Sequence, residues 1–129
     1  MKKKGILNRD LAAIFASLGH TDQVVIADCG LPVPDHVLCV DLSLEQGTPA
    51  FKDVVRIVLE DLEVEKMILA KEMKEFNSNL YRHMATLEID HEFVTHLTFK
   101  KLTADAKVII RTGENTPFSN VILQSGVTF

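Results

Sequence analysis

Three short apolar runs in this chain do not alternate with polar residues: Val24-Val25-Ile26, Val108-Ile109-Ile110 and Val121-Ile122-Leu123. Successive side chains of a strand point to opposite faces of its sheet. A run that is apolar at every position therefore needs cover on both faces. Between these runs the spacing becomes helical. Leu11, Ile14, Phe15 and Leu18 recur at i, i+3, i+4 and i+7, and Val54, Ile57, Val58 and Leu62 share one face of a second helix. Further strands are expected at 37–42, 64–70 and 93–97. Further helices are expected in the second half of 72–87 and over 99–106. Strands that alternate with helices and are dry on both faces predict an α/β fold, with a mostly parallel central sheet flanked by helices in the Rossmann-like manner. At 129 residues the chain is expected to form one domain, 1–129.

The breaks between elements are also readable. Asn8 or Asp10 can cap the first helix, and Gly19 can end it in the left-handed conformation. Gly30-Leu31-Pro32-Val33-Pro34 is a stiff loop, because each proline fixes its own φ and restricts the residue before it. Gln46-Gly47-Thr48-Pro49 ends the second strand region. The formal net charge is −4, and the only basic run is Lys2-Lys3-Lys4, so nucleic acid is not an expected partner. A secretory signal needs an apolar stretch of about 7–15 residues, and Asn8-Arg9-Asp10 interrupts the terminus too early for one. No apolar run approaches the roughly 20 residues of a membrane span. Cys29 and Cys39 belong to no metal or redox motif, which predicts two reduced thiols.

Two polar clusters flank the apolar runs. The first joins Gly19-His20-Thr21-Asp22 to Asp28-Cys29-Gly30 across the first strand. The second is Arg111-Thr112-Gly113-Glu114-Asn115-Thr116-Pro117-Phe118-Ser119-Asn120. Polar groups beside dry segments need partners, and a polyhydroxylated ligand would supply them. His20 is either a proton carrier or a helix-terminal residue bonding the last carbonyls. Asp22 can orient its ring or cap a turn. Asp28 ends its strand, where ligands of parallel sheets gather, and is either a fixed acceptor or a turn residue. Asn120 offers a donor and an acceptor for a hydroxyl, or an Asx turn. Phe118 offers an apolar face for a sugar ring, or a core anchor. His96 stands at the far end of the expected fourth strand and is a pocket candidate. His91 lies five residues before it, on the opposite strand face, and no ligand set is completed, so no metal is expected. His36 and His83 read as surface residues. Cys29 could be a nucleophile beside a histidine, but nothing in its local sequence activates a thiol. Arg111 and Glu114 are expected to pair within their loop.

Taken together, Lys2-Lys3-Lys4-Gly5-Ile6-Leu7-Asn8, Leu18-Gly19-His20-Thr21-Asp22, Ala27-Asp28-Cys29-Gly30-Leu31-Pro32-Val33-Pro34, Ile110-Arg111-Thr112-Gly113-Glu114 and Gly126-Val127-Thr128-Phe129 resemble the ribose pyranase/fucose mutarotase family over essentially the whole chain. The resemblance implies a cofactor-free isomerase that interconverts the pyranose and furanose rings of D-ribose. It implies a cytoplasmic homodecamer with sites between neighbouring subunits, acting beside a ribose transporter and ribokinase. It implies His20 as acid/base and Asp28, His96, Phe118 and Asn120 as sugar-binding residues. The family usually has tyrosine where this chain has Phe118. A fucose mutarotase and a non-catalytic sugar-binding accessory of ribose uptake are the rival readings.

Ring interconversion passes through the open-chain aldehyde. A base takes the proton of the anomeric hydroxyl and the departing ring oxygen is protonated. One group titrating near neutrality suffices, in a pocket that lets the open chain turn. The spacing raises a geometric difficulty. Eight extended residues at about 3.3 Å each separate His20 from Asp28 by as much as ~26 Å. The two meet only if 21–23 folds back or if they serve one site from different subunits; the second is the expectation here.

Overall fold

The computed structural model describes residues 1–129. Helix α1 (Arg9–Ser17) begins where the Asn8 side chain accepts from the backbone N–H groups of Asp10 and Leu11. Strand β1 (Gln23–Ala27) and strand β2 (Leu38–Asp41) follow, then α2 (Phe51–Asp61) and β3 (Val64–Ala70). Two short helices, α3 (Met73–Phe76) and α4 (Ser78–Ala85), meet at Asn77. Strand β4 (Asp90–Val94), α5 (His96–Leu102), a 3-10 turn (Thr103–Asp105), β5 (Val108–Arg111) and β6 (Val121–Ser125) complete the chain.

The six strands form one sheet in the order β2-β5-β1-β6-β3-β4. Five run in one direction and β6 runs against them, antiparallel to both β1 and β3. The sheet is thus mostly parallel, but its centre is mixed. The short link from β5 to β6 explains the reversal: only residues 112–120 join them, and a parallel crossover takes about a dozen residues or more.

The central strands β5, β1 and β6 are dry on both faces, as the unbroken apolar runs require, whereas the edge strands β2 and β4 are mostly exposed. Val24, Ile26, Val108, Ile110, Val121 and Leu123 point toward α1, α2, α3 and α4 and share the larger core with Leu11, Phe15, Val54, Val58, Met73, Leu80 and Met84. Val25, Ala27, Ile109 and Ile122 point the other way, onto Phe99 of α5 and onto Leu31 and Val37. Full burial of side chains of this size contributes about 1.5–3 kcal/mol each. No helix is long and apolar enough to cross a membrane.

Three local expectations change. The chain leaves α1 at Leu18 in an extended conformation, and the left-handed residue is Thr21 (φ 71°), not Gly19. The Gly19 N–H is instead taken by Asp22 Oδ2 at 2.8 Å. The fourth strand ends at Val94 rather than 97, because the Thr95 side chain caps a helix by accepting from the Thr98 N–H. His96 therefore opens α5 instead of closing a strand.

Candidate functional site

β6 is antiparallel to β1, so its first residues lie beside the last residues of β1. Asp28 and Asn120 meet there across 92 residues of sequence. The Asp28 N–H donates to Asn120 Oδ1 at 2.8 Å, and Asn120 Nδ2 donates to Asp28 Oδ2 at 2.9 Å. Asp28 Oδ1 also accepts from the Gly30 N–H at 2.9 Å. Asp28 is thus both a turn residue and an oriented carboxylate. Asn120 is fully buried, with both ends of its amide engaged by Asp28.

A cavity of about 300 Å³ opens at this end of the sheet, lined by Asp28, Gly30, Leu31, Pro32, His96, Lys100, Pro117 and Phe118. That volume is at the small end of ligand sites. The His96 backbone N–H donates to both carboxylate oxygens of Glu72, at 3.1 and 2.9 Å, which anchors the start of α5. Its ring stacks on Phe99 and meets the Phe118 ring edge-on, with centroids 5.0 Å apart. Its Nδ1 is buried and has no hydrogen-bond partner in the chain, whereas buried polar atoms ordinarily have one. Lys100 is a pocket residue that the sequence reading passes over. Its signal is present: it stands four residues after His96, on the same face of a helix whose start Thr95 marks.

Phe118 has φ 57°, a left-handed conformation that costs a non-glycine residue energy unless its surroundings hold it. The Asn77 side-chain amide supplies the hold. Its Nδ2 donates toward Thr116 Oγ1 at 3.1 Å, the Pro117 carbonyl at 2.9 Å and Ser119 Oγ at 3.1 Å. The Phe76 ring packs at 5.9 Å from that of Phe118. The break between α3 and α4 thus positions the loop that walls the cavity.

His20 is elsewhere. The neighbouring Thr21 N–H donates to the Ser125 carbonyl at 2.9 Å, at the far end of β6. The four steps from Val121 to Ser125 at about 3.4 Å each put the two ends of β6 roughly 14 Å apart, so 21–23 does not fold back toward Asp28. The His20 ring is half exposed and its Nε2 lies 2.9 Å from Glu65 Oε2. Glu65 Oε1 accepts from Gln124 Nε2 at 2.7 Å. The Gln124 amide, and after it the His20 ring, hold the Glu65 carboxyl below the usual carboxylate range.

The remaining polar residues shape the scaffold. Arg111 does not pair with Glu114. Its guanidinium donates to the Cys29 carbonyl at 3.2 and 3.0 Å, to Asp41 at 3.0 Å and to Ser43 Oγ at 2.6 Å, tying the loop after β1 to the sheet edge. Glu114 Oε1 accepts from the Phe51 N–H at 3.0 Å, satisfying a free donor at the start of α2. Gly113 is required where it stands, because a Cβ there would lie 2.1 Å from the Thr48 carbonyl oxygen. His91, in β4, donates from Nε2 to the Met84 carbonyl at 2.9 Å, on a different element from His96. His36 Nε2 donates to the Ala104 carbonyl at 2.8 Å.

The model of the RbsD / FucU transport protein family matches residues 1–128. A D-ribose pyranase of Halalkalibacterium halodurans is 55% identical over 129 residues, covering both chains in full. The structure of Bacillus subtilis RbsD complexed with D-ribose superposes with a TM-score of 0.98 at 54% identity, again over the whole of both chains. The fucose mutarotase of Streptococcus pneumoniae, in complex with L-fucose, shares the fold, with a TM-score of 0.73 at 17% identity over 95% of each chain.

Proposed function

The chain belongs to the RbsD / FucU transport protein family, and from that premise we propose that it interconverts the pyranose and furanose forms of D-ribose, as a D-ribose pyranase does. The observation that carries this reading is the cavity at the strand ends. It pairs a fixed carboxylate, Asp28, with an aromatic face, Phe118, an ammonium group, Lys100, and His96, whose buried Nδ1 lacks a partner. A sugar hydroxyl would satisfy that nitrogen, and the carboxylate and ammonium would take further hydroxyls. Asn120 contributes by holding Asp28. The kinship to proteins named D-ribose pyranase at half or more identity supports ribose over fucose. On this reading residues 1–129 act as one sugar-ring-isomerising domain.

The chemistry is proton transfer. His20 takes the proton of the anomeric hydroxyl, the freed electron pair forms the aldehyde C=O, and the bond from C1 to the ring oxygen breaks with its pair on that oxygen. The imidazolium returns the proton to the ring oxygen. The open chain turns, and a different hydroxyl adds back by the reverse steps. Within one chain His20 stands at the opposite sheet end from the cavity, so the reading requires a second copy: His20 of one protomer completes the cavity of its neighbour. Assembly as a homodecamer in the cytoplasm, with ribokinase consuming the furanose, belongs to the same reading and rests on the family resemblance.

Two measurements test it. NMR saturation transfer between ribose ring forms should show exchange accelerated by the protein and slowed roughly 10²–10⁴-fold by His20→Ala. Binding without faster exchange would instead favour the accessory role. Mixing His20→Ala with Asp28→Ala protomers should restore activity at about a quarter of the sites if each draws one residue from each of two chains. No recovery would remove the shared site.

A further inference from the structure

We propose that Glu65 is a positioning residue that sets the tautomer of His20, so that Nδ1 rather than Nε2 is the nitrogen that takes the sugar's proton. This rests on the reading of His20 as the proton carrier. An ionised carboxylate only accepts hydrogen bonds. Glu65 Oε2 lies 2.9 Å from His20 Nε2, so Nε2 carries the hydrogen and Nδ1 keeps its lone pair. Gln124 donates to the other carboxylate oxygen at 2.7 Å and fixes the carboxylate's orientation. That bond, and after it the His20 ring, also holds the Glu65 carboxyl below the usual carboxylate range.

The backbone around this pair is shaped for it. The register between β3 and β6 shifts between Val64 and Lys66, so Glu65 sits on an irregularity of the ladder. Such irregularities re-aim a side chain. Thr21 holds a left-handed φ of 71° directly after His20, and its N–H and that of Ser125 lock the turn onto β6 through the Ser125 and Asp22 carbonyls. A Cβ on Gly126 would lie 3.2 Å from Glu65 Cβ, so a residue without one lets the end of β6 pass close behind the carboxylate's stem. Three separate features of the backbone converge on one imidazole–carboxylate contact at an exposed rim of the sheet. In the proton cycle of ring opening, Nδ1 takes the hydroxyl proton, the resulting imidazolium is balanced by the Glu65 carboxylate, and the same proton passes from Nδ1 to the ring oxygen.

The test uses the full chain labelled with ¹⁵N-histidine. Long-range ¹H–¹⁵N NMR of the unmutated protein near neutral pH should show His20 protonated on Nε2. A resonance pattern with the hydrogen on Nδ1 overturns the proposal without any variant. In Glu65→Gln the Gln124 amide still donates to the side-chain oxygen, so an NH₂ group faces His20 and the hydrogen moves to Nδ1. The expected consequence is a kcat lowered about 10²-fold with KM within about threefold. Glu65→Gln combined with Gln124→Glu should restore both the Nε2–H pattern and at least tenfold of the lost kcat. In that double variant the new carboxylate at position 124 attracts the NH₂ of the introduced amide and turns its oxygen back toward His20. A folded Glu65→Gln protein with kcat within threefold of the parent overturns the proposal. Full activity in His20→Ala would instead sink the proton-carrier reading, and the NMR pattern would still decide the tautomer.

Discussion

Replacing Asn120 by alanine should cost both stability and affinity, for one structural reason. The Asn120 amide makes two bonds to Asp28, at 2.8 and 2.9 Å, from a fully buried position. The first satisfies a backbone N–H and has a net worth of about 0.5–1.5 kcal/mol; the second goes to a carboxylate and is worth about 1.5–3 kcal/mol. Asp28 is half buried, so water recovers part of the second. The expected loss is about 2–3 kcal/mol. Unfolding entropy for a chain of this length is roughly 0.27 kcal/mol/K, which converts the loss to a fall in Tm of roughly 7–11 °C. The freed Asp28 side chain no longer faces the cavity in one orientation, so KM for ribose should rise about tenfold, equivalent to about 1.4 kcal/mol. Differential scanning calorimetry measures the first quantity and saturation transfer over a ribose titration the second. A Tm within about 2 °C of the parent would refute the claim that this pair joins β1 to β6. A lowered Tm with unchanged KM would refute the claim that Asn120 serves the sugar through Asp28.

Two further outcomes are expected. Phe118→Tyr adds a hydroxyl at a ring that already walls the cavity. If that hydroxyl reaches the sugar, one neutral hydrogen bond of about 0.5–1.5 kcal/mol lowers KM roughly two- to tenfold; an unchanged KM and kcat would show that the position contributes only its apolar face. The Asp41 carboxyl is held below the usual range, first by the hydroxyl and N–H of Ser43 and then by Arg111. A folded-state pKa below the unfolded one stabilises the fold above the unfolded pKa and ceases to do so as pH falls through the folded value. Urea midpoints of the parent should therefore fall relative to Asp41→Asn as pH drops from about 5 to below the ordinary aspartate value of about 3.9; parallel midpoints across that range would contradict it.

Much of the architecture was legible because period is a local property. Val24-Val25-Ile26, Val108-Ile109-Ile110 and Val121-Ile122-Leu123 read as strands dry on both faces, and each divides its side chains between the two cores. The fourth strand starts three residues before its apolar pattern does, because Asp90, His91 and Glu92 are polar, which suits an exposed edge but hides the strand from an apolar pattern. The shift moves His96 from the end of a strand to the start of a helix, which the Thr95 side chain caps. Glycine adopts the left-handed conformation freely, which points to Gly19. The lock of 21–22 onto the end of β6 places it on Thr21 instead.

Composition and spacing alone decided the α/β layering, the dry central strands and the set of residues worth watching at each polar cluster. Strand order and register, and with them the grouping of those residues, needed the folded chain. β6 returns antiparallel, which brings Asn120 to Asp28 at one rim and Gln124 to Glu65, beside His20, at the other. A hydrophobic pattern encodes which faces are buried, because burial depends on each side chain's own chemistry. It does not encode which strands pair, because pairing is carried by backbone groups that every residue shares.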